Sequence, residues 1–202
     1  MAKKKTPRRL IVGMSGASGV IYGIRLLEYL QEIPDIETHL IMSRSAKLNL
    51  QLETDWLPQD VEALAHRVYD VKDLAASVSS GSFKTAGMVV APCSIKTLSG
   101  IANSYSDNLL TRAADVTLKE GRKLVLMVRE SPLHTGHCKL LWEASLLGAV
   151  IAPPMPAFYN RPETLDDIVS HSVGRVLDLF DIDTTAVKRW DGPHRHAERT
   201  GE

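Results

Sequence analysis

Three stretches of this 202-residue chain combine groups that can bind an anion with groups that can move a proton. The first, Gly13-Met14-Ser15-Gly16-Ala17-Ser18-Gly19, follows the apolar run Leu10-Ile11-Val12 and precedes a helical pattern. Glycines there let backbone N–H groups approach an anion, the helix N-terminus adds a favourable dipole, and Ser15 and Ser18 can add hydroxyl donors. The spacing Gly-x-x-Gly-x-x-Gly is not the dinucleotide fingerprint. The second apolar run ends at Met42-Ser43-Arg44, where an NAD ribose would want an acidic residue, and no Gly-Lys-Ser/Thr follows the glycines. Nicotinamide and Walker-type sites are therefore disfavoured, which leaves an anion or mononucleotide site, or a purely structural turn. The second stretch, Pro92-Cys93-Ser94-Ile95-Lys96-Thr97, places Ser94 at a helix start, and the third, Arg129-Glu130, puts a charged pair directly after a mostly apolar run. That pair is either a site feature or a strand-end salt bridge.

The elements that position these residues alternate. Strands are expected at Leu10–Met14, Thr38–Met42, Met88–Ala91, Lys123–Val128 and Ala149–Ala152. Helices are expected from Tyr22 to Gln31, after Ser43 as a cap and including Ala46, Leu48 and Leu52, from Leu109 to Glu120, and from Leu140 to Leu147. A last long helix carries Leu165, Ile168, Val169, Val173, Val176, Leu177 and Phe180 at a period of 3.6. Apolar strands without clean alternation predict an α/β fold whose mainly parallel sheet is covered on both faces, a three-layer arrangement. In such a sheet ligands gather beyond the carboxyl ends of the strands, where all three stretches, Ser43 and Tyr159 would arrive. Pro153–Pro162 is a stiff proline-rich connection, and Ala75–Thr85 is either a ligand loop or a flexible crossing.

Length favours one domain, with a basic arm at 1–8, the folded unit at 9–191 and a polar tail at 192–202. The 24 basic and 24 acidic side chains cancel, so no global field recruits nucleic acid or an anionic membrane. Two cysteines and no apolar leader point to a cytoplasmic protein without a disulfide framework. His134, His137 and Cys138 invite a zinc site, but their compact spacing lacks a fourth ligand; packing at a helix start is the expected role, and no metal is expected.

Taken together, Gly13–Gly19, Leu52-Glu53-Thr54-Asp55, Ser79-Ser80-Gly81-Ser82, Pro92–Thr97, Arg112-Ala113-Ala114-Asp115-Val116, Leu118-Lys119-Glu120, Arg129-Glu130, Pro154–Pro162 and Gly174-Arg175-Val176-Leu177-Asp178 resemble, in order and across nearly the whole chain, the UbiX flavin prenyltransferase family. That family includes the proteins named as the small subunit of phenolic-acid decarboxylases. The resemblance implies a flavodoxin-like or Rossmann-like subunit, commonly a dodecamer with flavin sites at subunit boundaries. It implies transfer of a dimethylallyl group from dimethylallyl monophosphate to reduced FMN at N5 and C6. The product, prenylated FMN, serves UbiD-type (de)carboxylases.

Carried over by position, the resemblance makes Gly16, Ala17, Ser18, Ser43, Cys93, Ser94, Ile95, Lys96 and Arg129 FMN contacts. Ser18 and Glu53 would lie near the reacting flavin edge. Lys119, Arg129, Tyr159 and Arg175 would hold the prenyl phosphate, with Arg112 and Glu130 around it and Trp190 closing the pocket. Glu53 or Glu130 would move a proton. Paired cations suit departure of a phosphate whose negative charge grows as the allylic C–O bond breaks.

The stretch Pro132–Glu143 departs most from the family pattern. His137 persists, but Cys138-Lys139-Leu140-Leu141 replaces the usual residues and Lys139 reverses a charge, which is expected to alter a subunit contact, access to the prenyl site or substrate tolerance. Two alternatives stand beside the transferase: an FMN-binding module without transfer, and the related flavoproteins that decarboxylate peptidyl cysteine. The Pro-Ala-Ser-Ala-Asn-Thr segment of the latter is replaced here by Pro92–Thr97, and their catalytic histidine has no convincing counterpart.

Overall fold

A computed structural model describes residues 7–184; Trp190, the tail at 192–202 and most of the basic arm lie outside the described residues. The element order is β1 (Arg8–Met14), α1 (Val20–Gln31), β2 (Ile36–Met42), α2 (Arg44–Glu53), α3 (Pro58–Ala63), β3 (Arg67–Tyr69), β4 (Gly87–Cys93), α4 (Ile95–Ala102), α5 (Leu109–Lys119), β5 (Lys123–Val128), α6 (Thr135–Leu146), β6 (Val150–Ile151) and α7 (Leu165–Asp178). Among the described residues the strands form one parallel sheet in the order β3-β2-β1-β4-β5-β6. The chain builds outward from β1 in one direction and then from β4 in the other. Loops leaving β1 and β4 therefore diverge and open a crevice beyond their carboxyl ends.

The strands read as continuous apolar runs because each face of the sheet has its own core. Val12, Met14, Leu40, Val89, Val125 and Met127 pack with α1 and α7. Ile11, Ile41, Met88, Val90, Leu124 and Leu126 pack with α4, α5 and α6. Successive strand residues point to opposite faces, so covering both faces removes the polar alternation that a half-exposed strand would show.

Several local expectations change. On α7, Val169, Val173, Val176 and Leu177 are buried, but Leu165 is 83 % exposed, because it sits in a first turn that extends past the core. On α2, Ala46 and Leu50 face inward while Leu48 and Leu52 face out. Helix α6 begins at Thr135, five residues before its apolar pattern, because the His134 ring accepts the Gly136 N–H and caps it. Strand β6 is shorter than expected, although Ala152 still donates to the Leu126 carbonyl at 2.9 Å. The segment Ala75–Thr85 is tied down: Arg122 donates to the carbonyls of Gly81 (2.6 Å) and Phe83 (2.9 Å).

Helix α1 lies close against β4 at Gly23, where an added Cβ would run into the Ala91 carbonyl oxygen and the Met14 side chain. Gly23→Ala tests that contact, since replacing a mid-helix glycine would by itself stabilise by up to about 1 kcal/mol. The overlap is expected to reverse the sign, to a net loss of about 1–3 kcal/mol in urea unfolding. A gain would show that α1 does not approach β4 this closely.

Candidate functional site

The crevice between β1 and β4 is closed at its base by one buried serine. Ser15, 1 % exposed, donates its N–H (3.1 Å) and its hydroxyl (3.0 Å) to the Pro92 carbonyl, and its Oγ accepts the Ser94 N–H at 2.7 Å. The expected role of Ser15 as a ligand donor is therefore corrected: its hydroxyl is committed to joining the two turns. Ser94 in turn caps α4 by accepting the Thr97 N–H (3.3 Å), and Ser43 caps α2 by accepting the Ala46 N–H (3.1 Å). The Ser43 N–H donates to the Met14 carbonyl at 2.9 Å, so α2 is pinned to the end of β1 as well. Gly16 must be glycine here, because a Cβ would overlap Ser45 in the first turn of α2.

Three N-terminal features thus converge: the turn at Gly16 and the starts of α2 and α4. They border a cleft of about 930 Å³ whose lining includes Gly16, Ser43, Ser45, Ser94, Lys96 and Glu130. Its size, the serine-capped helix starts and the nearby Lys96 ammonium suit an elongated anionic ligand such as a mononucleotide. Ile95 also lines it, whereas Cys93 is buried beneath, and burial pushes the Cys93 thiol far above its ordinary value. Cys93 is a protonated packing residue at neutral pH and has no nucleophilic character.

The N-terminus of α1 is already occupied. Glu53, at the end of α2, accepts the N–H groups of Gly19 (2.7 Å) and Val20 (3.3 Å). A carboxylate there complements the helix dipole as a bound phosphate would. The glycine turn therefore offers the cleft its Gly16 flank rather than its helix start, and Glu53 is brought beside Ser18, which is exposed. Asn49 secures the same turn by donating to the Ala17 carbonyl at 2.9 Å.

Arg129 follows β5, and its N–H donates to the Cys93 carbonyl at 3.1 Å. Its charge is felt by Tyr22 in the first turn of α1: burial raises the Tyr22 pKa and Arg129 lowers it. Tyr22, whose ring lies against Gly19, is a neighbour of the glycine turn that reading the sequence as core periodicity does not single out. The neighbouring Glu130 accepts its own chain's Ser131 N–H (3.0 Å) and faces the cleft, so the two charged residues are not a strand-end salt bridge with each other.

Among the other candidate cations, Arg112 is in the first turn of α5, whose Leu110 and Thr111 line the cleft, and pairs with Asp115 (3.0 Å). Lys119, at the end of α5, pairs with Glu120 (2.7 Å) and holds that carboxylate below its usual range. Lys119 precedes β5 and Arg129 follows it, so a strand of roughly 20 Å separates them. Tyr159 and Arg175 sit on a third patch, with Tyr159 hydrogen-bonded to the buried His171 (3.0 Å) and Arg175 paired with Asp178 (2.7 Å). One chain thus presents a cleft and two outlying cationic patches. Among the described residues no cluster of three or more His, Cys, Asp or Glu side chains is placed to hold a metal ion, and the His134 and His137 rings lie against one another, tilted by 34°, at 3.6 Å between centroids.

A flavoprotein family model matches residues 1–176. The chain is 60 % identical over 187 residues to the flavin prenyltransferase UbiX of Escherichia coli (strain K12), covering 92 % of this chain and 99 % of that one. The chain belongs to the UbiX family of flavin prenyltransferases. Two solved UbiX-type structures superpose closely. One is AnUbiX (PadA1) in complex with FMN and dimethylallyl pyrophosphate, at a TM-score of 0.91 and 48 % identity, covering 93 % of this chain and 100 % of that one. The other is a dodecameric FMN-dependent UbiX-like decarboxylase from Escherichia coli O157:H7, at 0.90 and 54 %, covering 91 % and 100 %.

Ser15→Ala removes the bridge between the two turns and leaves the Ser94 N–H unpaired. The expected outcome is a loss of about 1–3 kcal/mol in unfolding free energy. FMN affinity, read by flavin fluorescence, should fall with it. Unchanged affinity with reduced stability would separate the serine bridge from the site.

Proposed function

We propose that this chain is a flavin prenyltransferase that joins a dimethylallyl group to reduced FMN, with dimethylallyl monophosphate as the donor and prenylated FMN supplied to a UbiD-type (de)carboxylase. The observation that carries the reading is the coincidence of the crevice cleft, shaped for a mononucleotide, with close overall identity to flavin prenyltransferases. A solved relative that holds FMN together with a dimethylallyl phosphate ester supports the same pairing of ligands.

FMN, when bound, supplies the electron-rich ring that accepts the allyl group. The protein's own work is to hold, neutralise and exclude. Gly16, Ser43, Ser94 and Lys96 fix the ribityl phosphate end, while Ala17, Ser18 and Ile95 border the remainder. Arg129 adds positive charge beside Tyr22, where it can bind both the flavin and the departing phosphate. Lys119, Arg175 and Arg112 are each held by a carboxylate on the same helix or next to it. Such surface and half-buried pairs are weak, so a phosphate dianion can draw the cations from their partners.

No single chain unites Lys119 with Arg129, so one phosphate can meet both only where subunits join. A homo-oligomer, with the dodecamer of the solved relative as its form, supplies that junction. The exposed apolar side chains Leu48, Leu52, Trp142, Leu146, Met155 and Phe158 support burial against further copies. On α6, Lys139 is exposed beside Glu143 (3.6 Å), where its reversed charge would act on a subunit contact before it acted on chemistry. The reaction needs no metal, because protein cations neutralise a monoester. A cytoplasmic location fits the two free thiols; no helix among the described residues is long and apolar enough to cross a membrane.

Glu130 is the proposed proton carrier at the cleft, with Glu53 retained as the cap of α1. Glu130→Gln is expected to leave FMN affinity within about threefold of wild type and to lower the rate of flavin prenylation by about 10²-fold or more. The measurement is anaerobic mass spectrometry of the flavin after incubation with dimethylallyl mono- or diphosphate. A wild-type rate in the variant removes Glu130 from proton transfer. An unchanged FMN mass with the wild-type protein and both donors, after verified reduction, overturns the transferase reading.

A further inference from the structure

Helix α5 ends in a stop that fixes an arginine which the phosphate-binding reading of Lys119 does not use. Gly121, at a φ of 65°, donates its N–H to the Leu118 carbonyl (2.9 Å), and the Arg122 N–H reaches the Thr117 carbonyl (2.9 Å). This pair of hydrogen bonds closes the helix and fixes the backbone from which the Arg122 side chain starts. The guanidinium then forks across the loop that precedes β4: Nη1 donates to the Phe83 carbonyl (2.9 Å) and Nη2 to the Gly81 carbonyl (2.6 Å). Phe83 is anchored independently, since the Arg9 guanidinium stands 4.5 Å over its ring and the buried His39 ring meets it edge to face at 5.3 Å.

What rests on this loop gives the clamp its importance. At Gly81 an added Cβ would run into the Glu120 carboxylate and come within 3.0 Å of the Lys119 Nζ, so the Lys119–Glu120 ion pair lies directly on the glycine. On either side of it the exposed Ser80 and Ser82 hydroxyls bond each other at 2.9 Å. Two hydroxyls own two protons and spend one on that bond, so the other can be donated to an outside acceptor. An ammonium and a serine pair thus meet over a stretch of backbone that carries no side chain, and a phosphate oxygen is the acceptor such donors suit. Both forked donors of Arg122 are committed to carbonyls, and its side chain is 16 % exposed. It can shape this seat without itself binding the anion.

We infer that Arg122 is a positioning residue: by clamping Gly81 and Phe83 it holds the Ser80–Ser82 loop against Lys119, and so sets the ammonium and the serine hydroxyls as one seat for the prenyl phosphate. The inference rests on the proposed phosphate-binding role of Lys119. It adds a residue that acts only through the loop, and a glycine whose missing side chain lets Lys119 lie there.

The test is calorimetric binding of dimethylallyl monophosphate to the assembled protein loaded with oxidised FMN, so that the donor binds without being consumed. Gly81→Ala displaces only the ends of two flexible side chains, so assembly, unfolding midpoint and FMN affinity should match wild type while the donor Kd rises about tenfold. In turnover with reduced FMN the same factor should appear in KM, with a smaller change in kcat. Arg122→Lys keeps the charge but not the fork, and should weaken the donor by at least about threefold with FMN affinity again unchanged. In a Lys119→Met background the Gly81→Ala change should add less than about twofold. Wild-type donor affinity in either single variant, or an undiminished loss in the Lys119→Met background, would overturn the inference. Should Gly81→Ala fail to assemble, Arg122→Lys decides by the same two results. Any of these contrary results in a protein that still forms prenylated flavin leaves the transferase reading standing. Wild-type protein that shows the expected pattern of donor binding but forms no prenylated flavin would sink the transferase reading alone. Failure to bind the donor at all would sink both.

Discussion

The hydroxyl of Ser15 is the constraint on which the site depends. It donates to the Pro92 carbonyl and accepts the Ser94 N–H, and so fastens the turn after β1 to the turn after β4, where the order of strand addition reverses. A doubly wound sheet pulls those two turns apart, and an unfastened crevice would leave their backbone groups unpaired. With the bridge in place the starts of α2 and α4 face one cleft, each capped by its own serine. A site built from backbone N–H groups and short hydroxyls works only if the turns that carry them are held to a few tenths of an ångström.

The second constraint is electrostatic. The N-terminus of α1, the position that the glycine turn would first suggest for an anion, is filled by the Glu53 carboxylate. Two anions at one helix start would repel, so the phosphate of a bound mononucleotide is directed to the Gly16 flank and the starts of α2 and α4. In the proposed function Glu53 would mark the boundary between a phosphate end and a reacting end. The outlying cations follow the opposite logic: each is paired with a nearby carboxylate, and in the proposed function a phosphate at a subunit junction would displace that partner.

Much of this was legible in the chain itself. The strand at Lys123–Val128 and the caps Ser43 and Ser94 follow directly from apolar runs that end in small polar residues. The parallel sheet follows from the missing alternation. Three-residue β3 and six-residue α3 were not legible, because neither is long enough to show a period. The start of α6 was hidden because a histidine caps it and its first turn carries no apolar pattern. The glycine turn falls between β1 and α1 as its pattern implies, but whether Ser15 and Glu53 serve a ligand or the backbone depends on partners 34 to 79 residues away. Tyr22 and His171 do not stand out in the sequence for the same reason: each lies within a helical apolar pattern, and only the packed fold brings Tyr22 into the field of Arg129 and His171 against Tyr159.

The most direct measurement is the position of the FMN phosphate in a crystal structure of the assembled, flavin-loaded protein. The account predicts the phosphate against Gly16 and the serine-capped starts of α2 and α4, with Glu53 still accepting the Gly19 and Val20 N–H groups and the Ser15 bridge intact. A phosphate seated on the N-terminus of α1, with Glu53 displaced, would contradict it.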